Sequence, residues 1–529
     1  MERHIGTWYK ENEPQKQEVA ELIIDGNNVE FYSRFYEEIF PCAFIGSNGQ
    51  HRYKVFANGS SRPSGNRLLD YTSSHRVFYV LMQNFDFSHG MDISGIKDFS
   101  FSIPELINWL GITTVFYGST DKDELAAGEV HIDPVIINPE DPHVELYFES
   151  ESYKSILGDD RTEITIKKSP RIKVEYEAPQ NIQAVMDDIE CLMQFFGLLI
   201  GTVSTVQDIR LSIEGQDLKS WLFVNHDFSY NTATRGAGNR PHSYLYVVND
   251  KLQFYYSNWR TFYLDDSFSL LRRIFFSVNG KKEIFAEEIF VEYMRILDGY
   301  HTRISGDEET KRKLKEALKA STKSIKQLIF TDEGTPLFEK PIKSVIPEWK
   351  CNSSHKDEIA GWIAAGFLAK TSLSNRLKDL NSQHLHIISA NAVEIEKRKR
   401  NKDEIVDKTD SELVELYFKE LGDTRNYYSH YKLDKRGVLE IGQILTSINV
   451  LKATIISILF SHMGMEQDLT RRILEFDDEL HFETMFLRDE NDRPFEHPKQ
   501  VCSEERKNSE KKPGVLKKIL NFIGGCTHG

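Results

Sequence analysis

The spacing of apolar residues changes character along the chain. Up to about residue 176, apolar and aromatic positions alternate over short runs such as AELIID, VEFYS, YKVFAN, RVFYVLMQNFDF, FSFSI, VELYFES, TEITIKK and RIKVEYEA. Turn-forming clusters separate these runs, at Asp25-Gly26-Asn27-Asn28, in the Gly/Ser loop from Asn58 to Asn66, and from Asn138-Pro139 to Pro142. Many short period-two runs with this punctuation predict half-buried strands, assembled as a β-sandwich or an open barrel. Residues 180–201, QNIQAVMDDIECLMQFFGLLIG, instead place Ile182, Val185, Ile189, Met193 and Phe196 at helical spacing. Strands are predicted to resume at 206–213, 221–225, 243–248 and 252–263. The aromatic cluster Phe254-Tyr255-Tyr256 with Trp259 reads as strand and core.

From about Lys282 the apolar period becomes three to four residues. Five segments predict amphipathic helices: FAEEIFVEYMRILDGYHTRI, KEALKASTKSIKQLIF, DEIAGWIAAGFLAKTSLSNRLKDL, DSELVELYFKEL and GVLEIGQILTSINVLKATIISILFSHM. Thr409 and Glu412 have the spacing of a capping box opening the fourth. Gly422 is predicted to end that helix, with Asp423 or Thr424 capping a new turn. The expected fold is α+β and multidomain. A sandwich-like β-rich domain spans 1–265, an all-α bundle spans 283–476, and a polar tail spans 477–529, carrying the short basic amphipathic segment VLKKILNFIGG.

Length and composition narrow the class. A chain of 529 residues exceeds one core, and 40% hydrophobic with 12% aromatic residues excludes a disordered protein. The five cysteines are scattered without paired spacing, which predicts neither a disulfide scaffold nor a zinc site. The N-terminus shows no signal-peptide pattern. The longest apolar stretch, Ile444 to Phe460, is interrupted by Ser447, Asn449 and Lys452, so no membrane span and a cytoplasmic location are expected. The net charge of −15 is uneven: residues 1–280 carry 25 basic and 39 acidic side chains, residues 281–500 carry 35 and 39, and residues 501–529 carry 6 and 3. An acidic front half repels phosphate backbones, whereas the near-neutral back half can build a positive groove.

An arginine followed after four to six residues by a histidine suits RNA cleavage without a metal or other cofactor. A ribose 2′-OH attacks the adjacent phosphate, the histidine moves the proton, and the guanidinium neutralises the phosphorane oxygens. Spacing alone is weak evidence, because 27 arginines and 17 histidines produce the pattern about two or three times by chance. It occurs three times, at Arg235–His242, Arg295–His301 and Arg425–His430. The first lies in TRGAGNRPH, which reads as a surface loop. The second lies inside a helix, with its side chains on different faces. The third follows the predicted helix end, where a junction can aim both side chains at one place.

LGDTRNYYSHY resembles the active-site stretch of ApeA-type HEPN domains, and ILDGYHTRIS resembles the first helix of that domain. GTWY and the β-rich region resemble the ApeA N-terminal domain in outline. The resemblance implies a dimeric ribonuclease of antiphage defence, with Arg425 and His430 catalytic and Asn426 the polar residue after the arginine. Where some HEPN toxins carry a tyrosine two residues after the histidine, this chain has Lys432.

The run Lys397-Arg398-Lys399-Arg400 reads either as a phosphate-tracking strip or as a solvated helix end, and Lys311 to Lys323 carries a second basic stretch with the same two readings. His384 and His386 lack a third ligand at recognisable spacing, so no metal site is expected. Tyr300 and His301 read as packing residues. One motif supplies one acid/base, so two copies are expected to face each other in a homodimer through the C-terminal helices. The acidic half is expected to recognise a trigger, a viral protein, and to hold the site inactive. The alternative is a non-catalytic HEPN-like protein whose β-rich half recognises a protein or ligand.

Overall fold

A computed structural model describes residues 1–25, 28–35, 41–61, 73–84, 94–111, 115–119, 125–129, 132–157, 161–201, 206–216, 219–224, 241–280, 284–305, 372–398, 408–430, 436–477 and 480, with a few isolated positions between 316 and 344. Most of the helix expected at 315–330 and of the Lys311–Lys323 stretch, Lys399, Arg400 and the basic amphipathic tail segment lie outside the described residues, as do residues 357–371.

The alternating runs form β1 (Glu2–Lys10), β2 (Gln17–Asp25), β3 (Asn28–Ser33), β4 (Cys42–Ser47), β5 (His51–Ser61) and β6 (Ser73–Asn84). These six close on themselves in the order β1-β2-β3-β6-β5-β4, since β4 pairs with both β1 and β5 and β6 pairs with both β5 and β3. The period of two sends Ala20, Leu22 and Ile24, Val29 and Phe31, and Tyr53, Val55 and Ala57 into one interior with Trp8 and Phe44. Closure removes the sheet edge that each strand would otherwise expose. Gly46 sits directly under the Trp8 indole, and a Cβ there would collide with the ring.

β6 also joins this ring to an open extension. Through Ser73–Arg76 it pairs with β3, and through Tyr79–Gln83 with β14 (Ser220–Val224). The sheet continues through β13 (Gln207–Ile213), β7 (Ile96–Ser102), β12 (Arg161–Gln180), β11 (His143–Leu157) and β10 (Val135–Asn138), twelve strands in all. A separate hairpin pairs β8 (Val115–Ser119) with β9 (Leu125–Glu129). After a short α1 (Leu106–Leu110), α2 (Ile182–Ile200) belongs to the core that covers the extension. Asn181 caps α2 by accepting from Ala184 N at 3.1 Å.

The segments predicted as strands at 243–248 and 252–263 are helical: α3 (Leu245–Val248) and α4 (Leu252–Leu264). Aromatic residues favour strands, but Leu252, Tyr255, Tyr256, Trp259 and Phe262 recur every three or four positions and bury one helical face. After α5 (Asp266–Gly280) come α6 (Ala286–Ile304), α7 (Leu373–Gln383), α8 (Ile387–Lys397), α9 (Asp410–His430), α10 (Ile441–His462) and α11 (Gln467–Phe476). A β-rich first half followed by a helical second half is the layout the periodicity predicts. The capping box at the start of α9 forms: Thr409 N donates to Glu412 Oε2 at 2.8 Å and Glu412 N to Thr409 Oγ1 at 3.3 Å.

α10 is long and apolar enough to cross a membrane, contrary to the expectation from its polar interruptions, and 72% of its most apolar window is buried inside the fold. Ser447 and Thr454 are accommodated by hydrogen bonds to Tyr417 Oη (2.8 Å) and Val450 O (2.8 Å). One continuous apolar core runs from the open sheet through α2 and α4 into α6 and α10. Trp259 Nε1 donates to Cys191 O at 3.1 Å, Asn258 Nδ2 to Met463 O at 3.3 Å, and Lys251 pairs with Glu466 at 2.7 Å, so α4 ties the sheet's covering helix to the end of α10.

Candidate active site

Arg425–His430 forms the last turns of α9 and does not follow a break at Gly422. Gly422 is buried, and a Cβ on it would lie 3.5 Å from Ser374 Oγ of α7, whose hydroxyl donates to Phe418 O at 2.9 Å. That is an ordinary van der Waals distance, so the glycine is not forced by packing, and the helix runs through it. Thr424 does not cap a new turn either. Its Oγ1 accepts from Leu439 N at 2.9 Å, holding the segment that enters α10 against α9.

An unbroken helix changes the geometry of the motif. Five residues correspond to about 500°, which leaves the Arg425 and His430 side chains about 140° apart at their bases. Asn426 and His430, four residues apart, share a face. Arg425 Nη1 donates to Asn426 Oδ1 at 3.2 Å, which turns the guanidinium towards that face. Arg425 Nε is buried and has no hydrogen-bond partner among the described residues. His430 is exposed. A cation, an amide and an imidazole thus sit along one edge of the helix end, where a phosphate can meet charge-assisted donors and a proton-transfer group together.

Beside this edge opens a cleft of about 740 Å³ between the end of α8, the end of α9 and the start of α10. Tyr427 and Tyr428 line it with Ile395, Arg398, Glu440 and Gln443. The two tyrosine rings meet nearly at right angles, 86°, with centroids 5.0 Å apart. Burial, together with the carboxylate of Glu287, raises the Tyr428 phenol above its usual range. Glu440 and Gln443 form a capping box on α10, in which Glu440 N donates to Gln443 Oε1 at 3.1 Å.

Of the basic run, Lys397 and Arg398 are exposed at the end of α8. Lys397 pairs with Asp410 at 3.4 Å, and Arg398 Nε donates to Glu394 Oε1 at 2.9 Å. Only Arg398 of the two lines the cleft.

The other two arginine–histidine matches separate clearly. His242 is not on a surface loop: it is buried, its Nδ1 lies 3.1 Å from Leu198 O, and its Nε2 contacts the Asp477 carboxylate, each side chain 1% exposed. Residues 225–240, Arg235 among them, lie outside the described residues. Arg295 is exposed and pairs with Glu292, whereas His301 is buried and bonds to Asp379 Oδ2 at 3.2 Å, so the two point away from each other. Tyr300 packs as expected, its hydroxyl 2.9 Å from His462 Nε2. Burial, with His384 nearby, pushes the His462 imidazole down to about 4, and burial also lowers His384. His386 takes a left-handed φ of 53° at the N-cap of α8.

Sequence reasoning passed over the tyrosines between Arg425 and His430 and the Glu440/Gln443 box. The glutamate-x-x-glutamine spacing before an apolar run was the signal for the second.

The model of ApeA N-terminal domain 1 matches residues 3–259, and that of the Apea-like HEPN domain matches residues 291–469. No curated protein and no solved structure matches the chain.

Proposed function

The chain belongs to the ApeA-type HEPN proteins, and from that premise we propose that it is a metal-independent endoribonuclease of antiphage defence, cleaving host or viral RNA at Arg425, Asn426 and His430. The observation that carries this reading is the hydrogen bond from Arg425 to Asn426, which brings the guanidinium to the helix face that His430 shares. His430 moves protons between the 2′-OH, the leaving 5′-oxygen and water, Arg425 stabilises the phosphorane charge, and Asn426 positions Arg425. DNA, lacking the 2′-OH, is not a substrate.

The β-rich half, with its excess of acidic side chains, is suited to recognising a protein trigger from the virus rather than RNA. The trigger acts through a difference in its affinity for resting and active states. The test uses the full chain in cells, because α4 and α5 share the core of the helical half. Cells expressing it should grow normally until phage infection and then arrest, and His430→Ala should remove the arrest. Arrest unaffected by His430→Ala would contradict the reading.

The single motif histidine must serve as both base and acid unless a second copy supplies its own. The reading therefore includes an isologous homodimer through the C-terminal helices, where α10 exposes Ile441 and Leu445 one turn apart. Light scattering on the RNA-bound protein, with the RNA mass subtracted, should give twice the 61.3 kDa of the chain. An active monomer would exclude the dimer.

A further inference from the structure

The cleft beside the motif carries an inference that rests on the ribonuclease reading and deepens it. We propose that Tyr427 and Tyr428, with Arg398 at the rim, form a subsite for one unpaired nucleobase of the RNA substrate, next to the scissile phosphate.

Size comes first. The cleft of about 740 Å³ falls within the roughly 300–1,000 Å³ of small-ligand pockets, enough for a nucleotide and its waters. Its shape follows from the tyrosine rings. At 86° to each other they make a corner, so a base lying flat on one ring meets the other edge-on, and both contacts are favourable for π-systems. Position links the corner to the chemistry. Tyr427 precedes His430 by three residues, about 4.5 Å along the helix axis, so the sugar of a base held there reaches the edge that carries Asn426 and His430.

Charge decides which part of the nucleotide enters. The first turn of α10 is not an open anion site, because Gln443 and Glu440 cap each other there and Glu440 adds negative charge. A phosphate is therefore disfavoured inside the cleft, and a neutral base, able to donate its amino hydrogens to a carboxylate, is accepted. The guanidinium of Arg398, exposed at the end of α8, takes the flanking phosphate at the rim. A paired base cannot enter such a corner, which predicts cleavage in single-stranded segments.

The test is fluorescence anisotropy with short labelled single-stranded RNA, on full-length protein carrying His430→Ala so that substrate persists. In that background Tyr427→Ala combined with Tyr428→Ala should weaken binding by roughly 5- to 150-fold. Tyr427→Phe combined with Tyr428→Phe keeps both ring faces and should bind like the parent. Arg398→Ala, at an exposed helix end where folding is not at stake, should lower the slope of log affinity against log salt by about 0.7. If the double alanine variant binds RNA as the parent does while the wild type cleaves RNA, the subsite is wrong and the ribonuclease reading stands. If the phenylalanine variant binds as weakly as the alanine one, the ring faces are not the recognition element. If the alanine variant changes oligomeric state, and affinity returns at high protein concentration, the cleft belongs to an interface between two copies and the assignment falls. A wild type that neither binds nor cleaves RNA overturns both readings together.

Discussion

Replacing His430 by alanine should lower the rate of RNA cleavage by roughly 10²- to 10⁴-fold, the usual contribution of a positioned acid/base. Arg425→Ala should cost roughly 10²- to 10³-fold, the range for losing one donor to a developing oxyanion. Neither change should move the thermal unfolding midpoint far. His430 is exposed in the last turn of α9, and the hydrogen bond that Arg425 makes is to its own neighbour. Asn426→Ala should fall between wild type and Arg425→Ala, because it releases the guanidinium without removing it. His301→Ala provides the contrast: its ring is buried and bonded to Asp379, so the variant should lose stability while the folded fraction keeps its rate. Single-turnover cleavage rates beside calorimetric melts separate these outcomes, and a His430→Ala enzyme at wild-type rate would move the site elsewhere.

His242→Ala should destabilise the whole chain by about 3–5 kcal/mol, the usual cost of removing one partner from a buried pair and stranding the other. Its ring and the Asp477 carboxylate are both buried, and Asp477 also accepts from Leu480 N at 3.0 Å. The pair fastens the segment before α3 to the residue that follows α11, so its loss loosens the sheet and the helices together. Gly201, in a left-handed φ of 81°, gives the imidazole its space, since a Cβ there would strike the ring. Combining His242→Ala with Asp477→Ala should restore part of the stability by removing the stranded carboxylate. Urea unfolding measures both variants, and a single variant within about 0.5 kcal/mol of wild type, the size of an ordinary surface effect, would show that the pair holds nothing.

These two predictions also mark what periodicity reveals and what it conceals. The period of two placed the interior of the ring correctly, because Ala20, Leu22 and Ile24 can face only one side of a strand. Ring closure was not legible, since it depends on β1 meeting β4 and β3 meeting β6 across distant sequence. α4 reads as strand because aromatic residues suit both strands and buried helices, and only their three-to-four spacing separates the two.

The candidate residues were legible in the sequence, and their geometry was not. Gly422 reads as a helix end because glycine commonly terminates helices, but α9 continues through it for about two more turns. With the helix unbroken, only the hydrogen bond to Asn426 turns Arg425 towards the face of His430, and no spacing argument contains that bond. His242 reads as a loop residue from its glycine- and proline-bearing surroundings, because its partner Asp477 lies 235 positions away in sequence.

The central claim is tested most directly by incubating purified protein with total RNA in EDTA, wild type beside His430→Ala, and determining the chemistry of the new ends. Wild type should cleave and leave 2′,3′-cyclic phosphates, or the monophosphates they hydrolyse to, opposite 5′-hydroxyls, while His430→Ala leaves the RNA intact. Cleavage that requires Mg²⁺ or Mn²⁺, or that yields 5′-phosphates, would contradict the account.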